Sequence, residues 1–119
     1  MTTNSSYRVQ FRMRVYRDGG IAIGPGKVAL LEAIARTRSI SAAARELGMS
    51  YRRAWLLVDE LNRSLREPAV ETAVGGTHGG GTVVTDNGLA LIRRYRAIEA
   101  AAAAAAADEI KAIKRMLAP

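Results

Sequence analysis

Apolar and polar residues alternate from residue 7 to residue 17. Tyr7, Val9, Phe11, Met13 and Val15 fall on one side, Arg8, Gln10, Arg12 and Arg14 on the other. A period of two predicts a half-buried strand. Asp18-Gly19-Gly20 reads as a turn and Ile21-Ala22-Ile23 as a short returning strand, so a hairpin is expected over 7–23. Gly24-Pro25-Gly26 then breaks the chain, and the period lengthens. Val28, Leu30, Leu31, Ile34 and Ala35 form the apolar stripe of a helix from Pro25 to Arg36, with the proline suited to a first turn. A second helix, Ala42 to Leu47, follows a cap at Ser39 or Ser41 and ends at Gly48, where glycine takes a left-handed conformation without a Cβ clash. Ser50 caps a third helix, Tyr51 to about Arg63. Ala54, Leu57, Val58 and Leu61 face the core there, while Arg52, Arg53, Leu56 and Asn62 lie off that stripe.

Glu67-Pro68 interrupts the helical spacing. Two β-branched runs, 70–74 and 82–84, flank the glycine-rich segment Gly75 to Gly81. A hairpin in that position, just after the third helix, reads as a wing. Thr85 caps a last helix expected over 86–117, with Gly88 as its one breaking residue. At ~1.5 Å per residue, its roughly thirty residues span about 45 Å, more than a small domain covers. Leu91, Tyr95, Ile98, Ala102, Ala105 and Ile113 recur at near three-and-four spacing and are expected to form a seam against a second copy. The predicted fold is mainly α with a small β component, a single winged helix-turn-helix domain over 1–119 with a long C-terminal dimerisation helix. Its parts are the hairpin (7–23), the helix-turn-helix core (25–63), the wing (70–84) and the long helix (86–117).

Charge narrows the partner. Eighteen Lys and Arg against eleven Asp and Glu leave a formal charge of +7. That surplus points to a polyanion, nucleic acid before membrane. There is no cysteine, hence no disulfide, thiol nucleophile or thiolate metal site. The opening residues lack the apolar run of a signal peptide, and Ala100 to Ala107 is too short and weakly apolar to cross a bilayer. A cytoplasmic protein with no membrane partner is expected.

The stretch Ser39 to Trp55 carries the chemistry. A short helix with small residues at Ala43 and Ala44, a turn at Gly48, and a helix opening on Ser50, Tyr51, Arg52 and Arg53 make a helix-turn-helix whose second helix reads the major groove. Arg52 and Arg53 can grip a guanine edge or a phosphate, and Ser50 and Tyr51 can bond phosphates. The bland alternative is a helical hairpin with a solvated basic face. Trp55 has two readings, packing that locks the recognition helix against the wing and, after it, a lean on the DNA backbone. Thr77 and His78 are the wing's candidate DNA contacts. The wing does not fit a phosphate-binding P-loop, since Gly81 rather than lysine precedes Thr82. His78, the single histidine, has no accompanying ligand cluster or nucleophile, so neither a metal site nor catalysis is expected. Arg8, Arg12 and Arg14 read as a solvated strand face before a phosphate contact.

Three runs, Ser39 to Ala44, Leu47 to Trp55 and Asp59 to Asn62, resemble the N-terminal DNA-binding domain of the ModE family of molybdate-responsive transcription regulators. The glycines of the wing, Thr85, Gly88 and Leu91-Ile92…Tyr95 fit the same domain. More loosely, the helix-turn-helix is similar to that of LysR-type regulators. The resemblance implies a winged helix-turn-helix that dimerises through its long helix on a palindromic operator. It carries base reading to Ser50, Tyr51, Arg52 and Arg53, and the wing role to Thr77 and His78. Molybdate binding in this family belongs to a further C-terminal part, which a chain ending at Pro119 is expected to lack. No cofactor or small-molecule ligand is therefore expected, and double-stranded DNA and a second copy are the expected partners. The resemblance links the chain to molybdenum-transport genes. Two rivals stay open: a sequence-neutral architectural DNA-binding protein, and an adaptor whose long helix binds another protein. Nothing in the chain suggests an enzyme.

Overall fold

A computed structural model describes residues 6–73 and 81–119. The elements run β1 (Val15–Arg17), β2 (Gly20–Ile23), α1 (Pro25–Thr37), α2 (Ile40–Glu46), α3 (Tyr51–Ser64), β3 (Val70–Ala73), β4 (Gly81–Val84), α4 (Asp86–Ala105) and α5 (Ala107–Met116). β1 pairs antiparallel with β2, and β3 with β4, as two separate two-stranded sheets. This is a mainly α winged helix-turn-helix.

The three central helices enclose the core. Leu30, Leu31 and Ile34 from α1, Ala43 and Ala44 from α2, and Ala54, Val58 and Leu61 from α3 are buried together. Alanine at Ala43, Ala44 and Ala54 lets the helices approach closely. Ser39 caps α2, its hydroxyl accepting from Ala42 N at 3.0 Å. Ala35, expected in the α1 stripe, is exposed; Ala33 takes the buried place because the stripe is centred nearer Leu30 and Ile34.

The wing is moored to this core. Val70 and Val84 join the apolar cluster, and Thr82 N donates to Arg38 O at 3.1 Å, where Arg38 ends α1 in the left-handed region (φ 59°). Gly88 lies where α4 crosses the wing. A Cβ there would stand 2.4 Å from Ala69 O and 2.6 Å from Val84 Cγ1. This glycine serves a close approach rather than a break.

Two further expectations are corrected. Only Val15–Arg17 of the alternating segment pairs as a strand, with a bulge at Val15/Tyr16, because β2 offers only four residues as a partner. The alternating stretch before it runs outside any strand and is held instead by side chains. Tyr95 Oη donates to Met13 O, and Tyr7 Oη to Ala118 O at 2.9 Å. The long helix is also not continuous. Ala106 (φ −96°, ψ 5°) separates α4 from α5, although Ile110 N still donates to Ala106 O at 2.9 Å. The alanine tract has high propensity but no side chains large enough to lock the turn by packing, and α5 buries none of its residues.

Candidate nucleic-acid interface

α3 is amphipathic about a sharp divide. Ala54, Val58 and Leu61 are buried, whereas Tyr51, Arg52, Arg53, Trp55 and Leu56 are exposed. Its start is fixed by Ser50, whose Oγ accepts from Arg53 N at 3.1 Å. That bond satisfies one of the amides left without a partner in the first turn. Gly48, at φ 69°, turns the chain between α2 and α3.

The charge on α3 is sorted along its length. No acidic residue occupies the first turn. The carboxylates come later and are occupied: Asp59 pairs with Arg63 at 2.8 Å, and Glu60 approaches Lys27 Nζ at 3.6 Å. Among the described residues, Arg52 and Arg53 have no acidic partner within 4.0 Å. The helix N-terminus, two guanidinium groups and the Ser50 and Tyr51 hydroxyls thus form one electropositive end suited to phosphate and base edges.

The structure brings four of the sequence-derived candidates, Ser50, Tyr51, Arg52 and Arg53, to this end. Thr77 and His78 lie outside the described residues. Trp55 is 48% exposed, outside the buried Ala54–Val58–Leu61 stripe.

Asn62 lies off the core stripe, yet it orients the interface. Its Nδ2 donates to Val70 O at 2.9 Å, and its Oδ1 accepts from Ala69 N at 2.8 Å and Val70 N at 3.2 Å. One side chain thereby sets the angle between α3 and the wing. Lys27, 8% exposed, does the same for the N-terminal hairpin, donating to Ile21 O while facing Glu60 of α3. Neither role shows in periodicity, since each depends on partners in another element.

The expected dimer seam divides in two. Leu91 is partly buried against the core and Tyr95 is 1% exposed, so both pack within the chain itself. Ile98 and Ile113 are exposed, as is Ala105, and Ala102 is half-buried. The α4 scaffold is clamped to α1 by Arg96, which bonds Glu32 and Glu99. Hydrogen bonding from Arg96 holds the Glu32 carboxyl below its ordinary range, and burial pushes the Tyr95 phenol up. Among the described residues no group of three or more His, Cys, Asp or Glu is placed to hold a metal, and no helix is long and apolar enough to cross a membrane.

Residues 26–89 match the family described as bacterial regulatory helix-turn-helix protein, lysR family. The chain is 54% identical over 84 residues to molybdenum-pterin-binding protein MopB of Rhodobacter capsulatus, covering 71% of this chain and 31% of that protein. It is 42% identical over 88 residues to molybdenum transport protein ModE of Azotobacter vinelandii (74% and 33%). Over 71 residues it is 42% identical to the DNA-binding transcriptional dual regulator ModE of Escherichia coli K12 (60% and 27%). The chain spans about a third of the length of these curated relatives.

Proposed function

The chain belongs to the lysR family of bacterial regulatory helix-turn-helix proteins, and from that premise we propose that it is a cytoplasmic, sequence-specific transcription regulator. It binds a palindromic operator as a homodimer, and its targets include molybdenum-transport genes. The observation that carries this reading is the N-terminal turn of α3, which exposes Tyr51, Arg52 and Arg53 on a Ser50-capped end while Ala54, Val58 and Leu61 anchor the opposite face. Thr77 and His78 supply the wing's contacts. Ile98, Ala102, Ala105 and Ile113 supply the subunit contact, and two half-sites fall one or two helical turns apart, roughly 34–36 Å per turn. No small molecule is assigned to these residues, and no catalytic role.

The test is fluorescence anisotropy at physiological salt. DNA from upstream of the protein's own gene and of molybdenum-transport genes is titrated against shuffled DNA. A preference of about a thousandfold or more is expected. Arg52→Ala or Arg53→Ala is expected to cost about 1–3 kcal/mol on the preferred sequence. Equal affinity for all sequences, lost steeply as salt rises, would make the protein architectural instead.

A further inference from the structure

A second basic surface lies beside the recognition helix. The β1–β2 hairpin, the start of α1 and one flank of α3 enclose an open cleft of about 910 Å³. Arg14 and Arg17 line it from the hairpin, Arg53 and Arg63 from α3. Asp18 and Glu60 line it as well: Glu60 lies 3.6 Å from Lys27, and Asp18 stands 4.0 Å from Arg17 with both side chains largely exposed, a weak contact that a phosphate can replace. Arg63 is held by Asp59. Among the described residues, Arg14 and Arg53 have no acidic partner within 4.0 Å.

The hairpin's position relative to α3 is set. Buried Lys27 donates to Ile21 O on β2 and faces Glu60 on α3. The Arg14 stem lies over Gly24, where an added Cβ would stand 3.6 Å from Arg14 Cγ. The basic residues before the hairpin do not form one ladder. Arg12 donates to Gln10 Oε1 at 3.0 Å and lines a different depression, with Arg96 and Glu99. Arg14 alone of Arg8, Arg12 and Arg14 joins the arginines of the α3 flank.

The geometry points to the hairpin as a second DNA contact, in which Arg14 and Arg17 receive backbone phosphates bordering the major groove that α3 occupies. The inference rests on the DNA-binding reading above. Arg53 belongs to both surfaces, so a duplex engaging the start of α3 passes the mouth of this cleft. The cleft is far larger than one oxyanion and Arg17 is 69% exposed. Solvated guanidinium groups hold a single small anion weakly, whereas a row of phosphates yields counterion release at each contact. These contacts add affinity and salt dependence without sequence information.

The experiment measures binding of the whole chain to sonicated random-sequence duplex DNA from about 50 to about 200 mM salt. Random DNA makes the result independent of the operator. The R14Q/R17Q variant is expected to melt at the wild-type temperature, since both side chains lie on the surface. Its slope of log affinity against log salt is expected to flatten by about 0.9 for each phosphate that the variant no longer neutralises. R14K/R17K keeps the charge and is expected to retain most of the slope. An unchanged slope in R14Q/R17Q beside a binding wild type overturns the hairpin contact and leaves DNA binding intact. Inorganic phosphate that stabilises wild type but not R14Q/R17Q, with equal DNA slopes, makes the cleft a small-anion site and also overturns it. A wild type that binds no duplex at low salt sinks both readings together.

Discussion

Tyr95 Oη donates to Met13 O at 2.8 Å, joining α4 to the N-terminal segment across 82 residues of sequence. The ring is 1% exposed, and the Arg96 guanidinium stands 5.7 Å from its centroid. Tyr95→Phe keeps the buried ring and removes the donor. The expected loss is about 0.5–1.5 kcal/mol in urea denaturation at neutral pH. Burial raises this phenol in the folded protein, so the folded state holds its proton longer than the unfolded chain. The associated stability is present below the ordinary phenol value of about 10 and is lost as pH climbs through the folded value. The advantage of wild type over Tyr95→Phe therefore shrinks above about pH 10. A gap independent of alkaline pH would contradict this account.

Gly88→Ala sets two effects against each other. Helix propensity favours alanine by about 1 kcal/mol. The new methyl would meet a backbone carbonyl, Ala69 O, at 2.4 Å, and backbone gives way less easily than a flexible side chain. Overpacking of this kind costs about 1–3 kcal/mol. The variant is expected to be less stable than wild type, with the wing loosened from α4. A raised melting temperature would mean that propensity wins and that the crossing relaxes.

The helix-turn-helix is legible because its signals are local. Ser39, Gly48 and Ser50 each act on amides or turns within a few residues, and their roles follow from residue type. The N-terminal strand is shorter than its pattern predicts. Alternation shows neither that a side is buried nor that a backbone partner exists: Tyr7, Val9 and Val15 stay exposed, and β2 is too short to pair with the whole segment. The apolar stripe of α4 left exposed is narrower than its spacing predicts for a related reason. Leu91 and Tyr95 share the period of Ile98, but period does not distinguish a subunit's own core from a neighbour's. Asn62, Lys27 and Gly88 carry no such signal, since their value lies in contacts with the wing and the hairpin.

Arg96 grips Glu32 with two nitrogens, Nε at 3.0 Å and Nη2, and reaches Glu99 with the third at 2.7 Å. The hydrogen bonds from Arg96 hold Glu32 below its ordinary range, against the opposing pull of partial burial. A depressed carboxyl stabilises the fold above the unfolded-chain value of about 4.3, and that contribution fades as pH falls through the folded value. Both side chains keep solvent contact, so the pair belongs to the weak class of about 0.2–1 kcal/mol. Glu32→Gln is expected to lose that amount near pH 7, with the difference from wild type closing in acid and shrinking at high salt. A difference that widens below pH 4 would reverse the assigned sign.

Asn62 offers the sharpest test of how the recognition helix and wing are coupled. Its three hydrogen bonds end on backbone groups of Ala69 and Val70, which are 0% and 5% exposed. Truncation strands buried donors as well as removing bonds, and each stranded group costs about 1–3 kcal/mol. Asn62→Ala is therefore expected to destabilise by about 3 kcal/mol, discounted for water entering the gap. Asn62→Asp preserves the two acceptances but turns a carboxylate toward Val70 O, so it does not restore stability. Hydrogen exchange distinguishes local coupling from general weakening. In Asn62→Ala, the amides of Ala69 and Val70 are expected to lose more protection than those of Leu30 and Leu31 in α1. Loss spread equally over both regions would mean that Asn62 supports the whole fold rather than the wing angle.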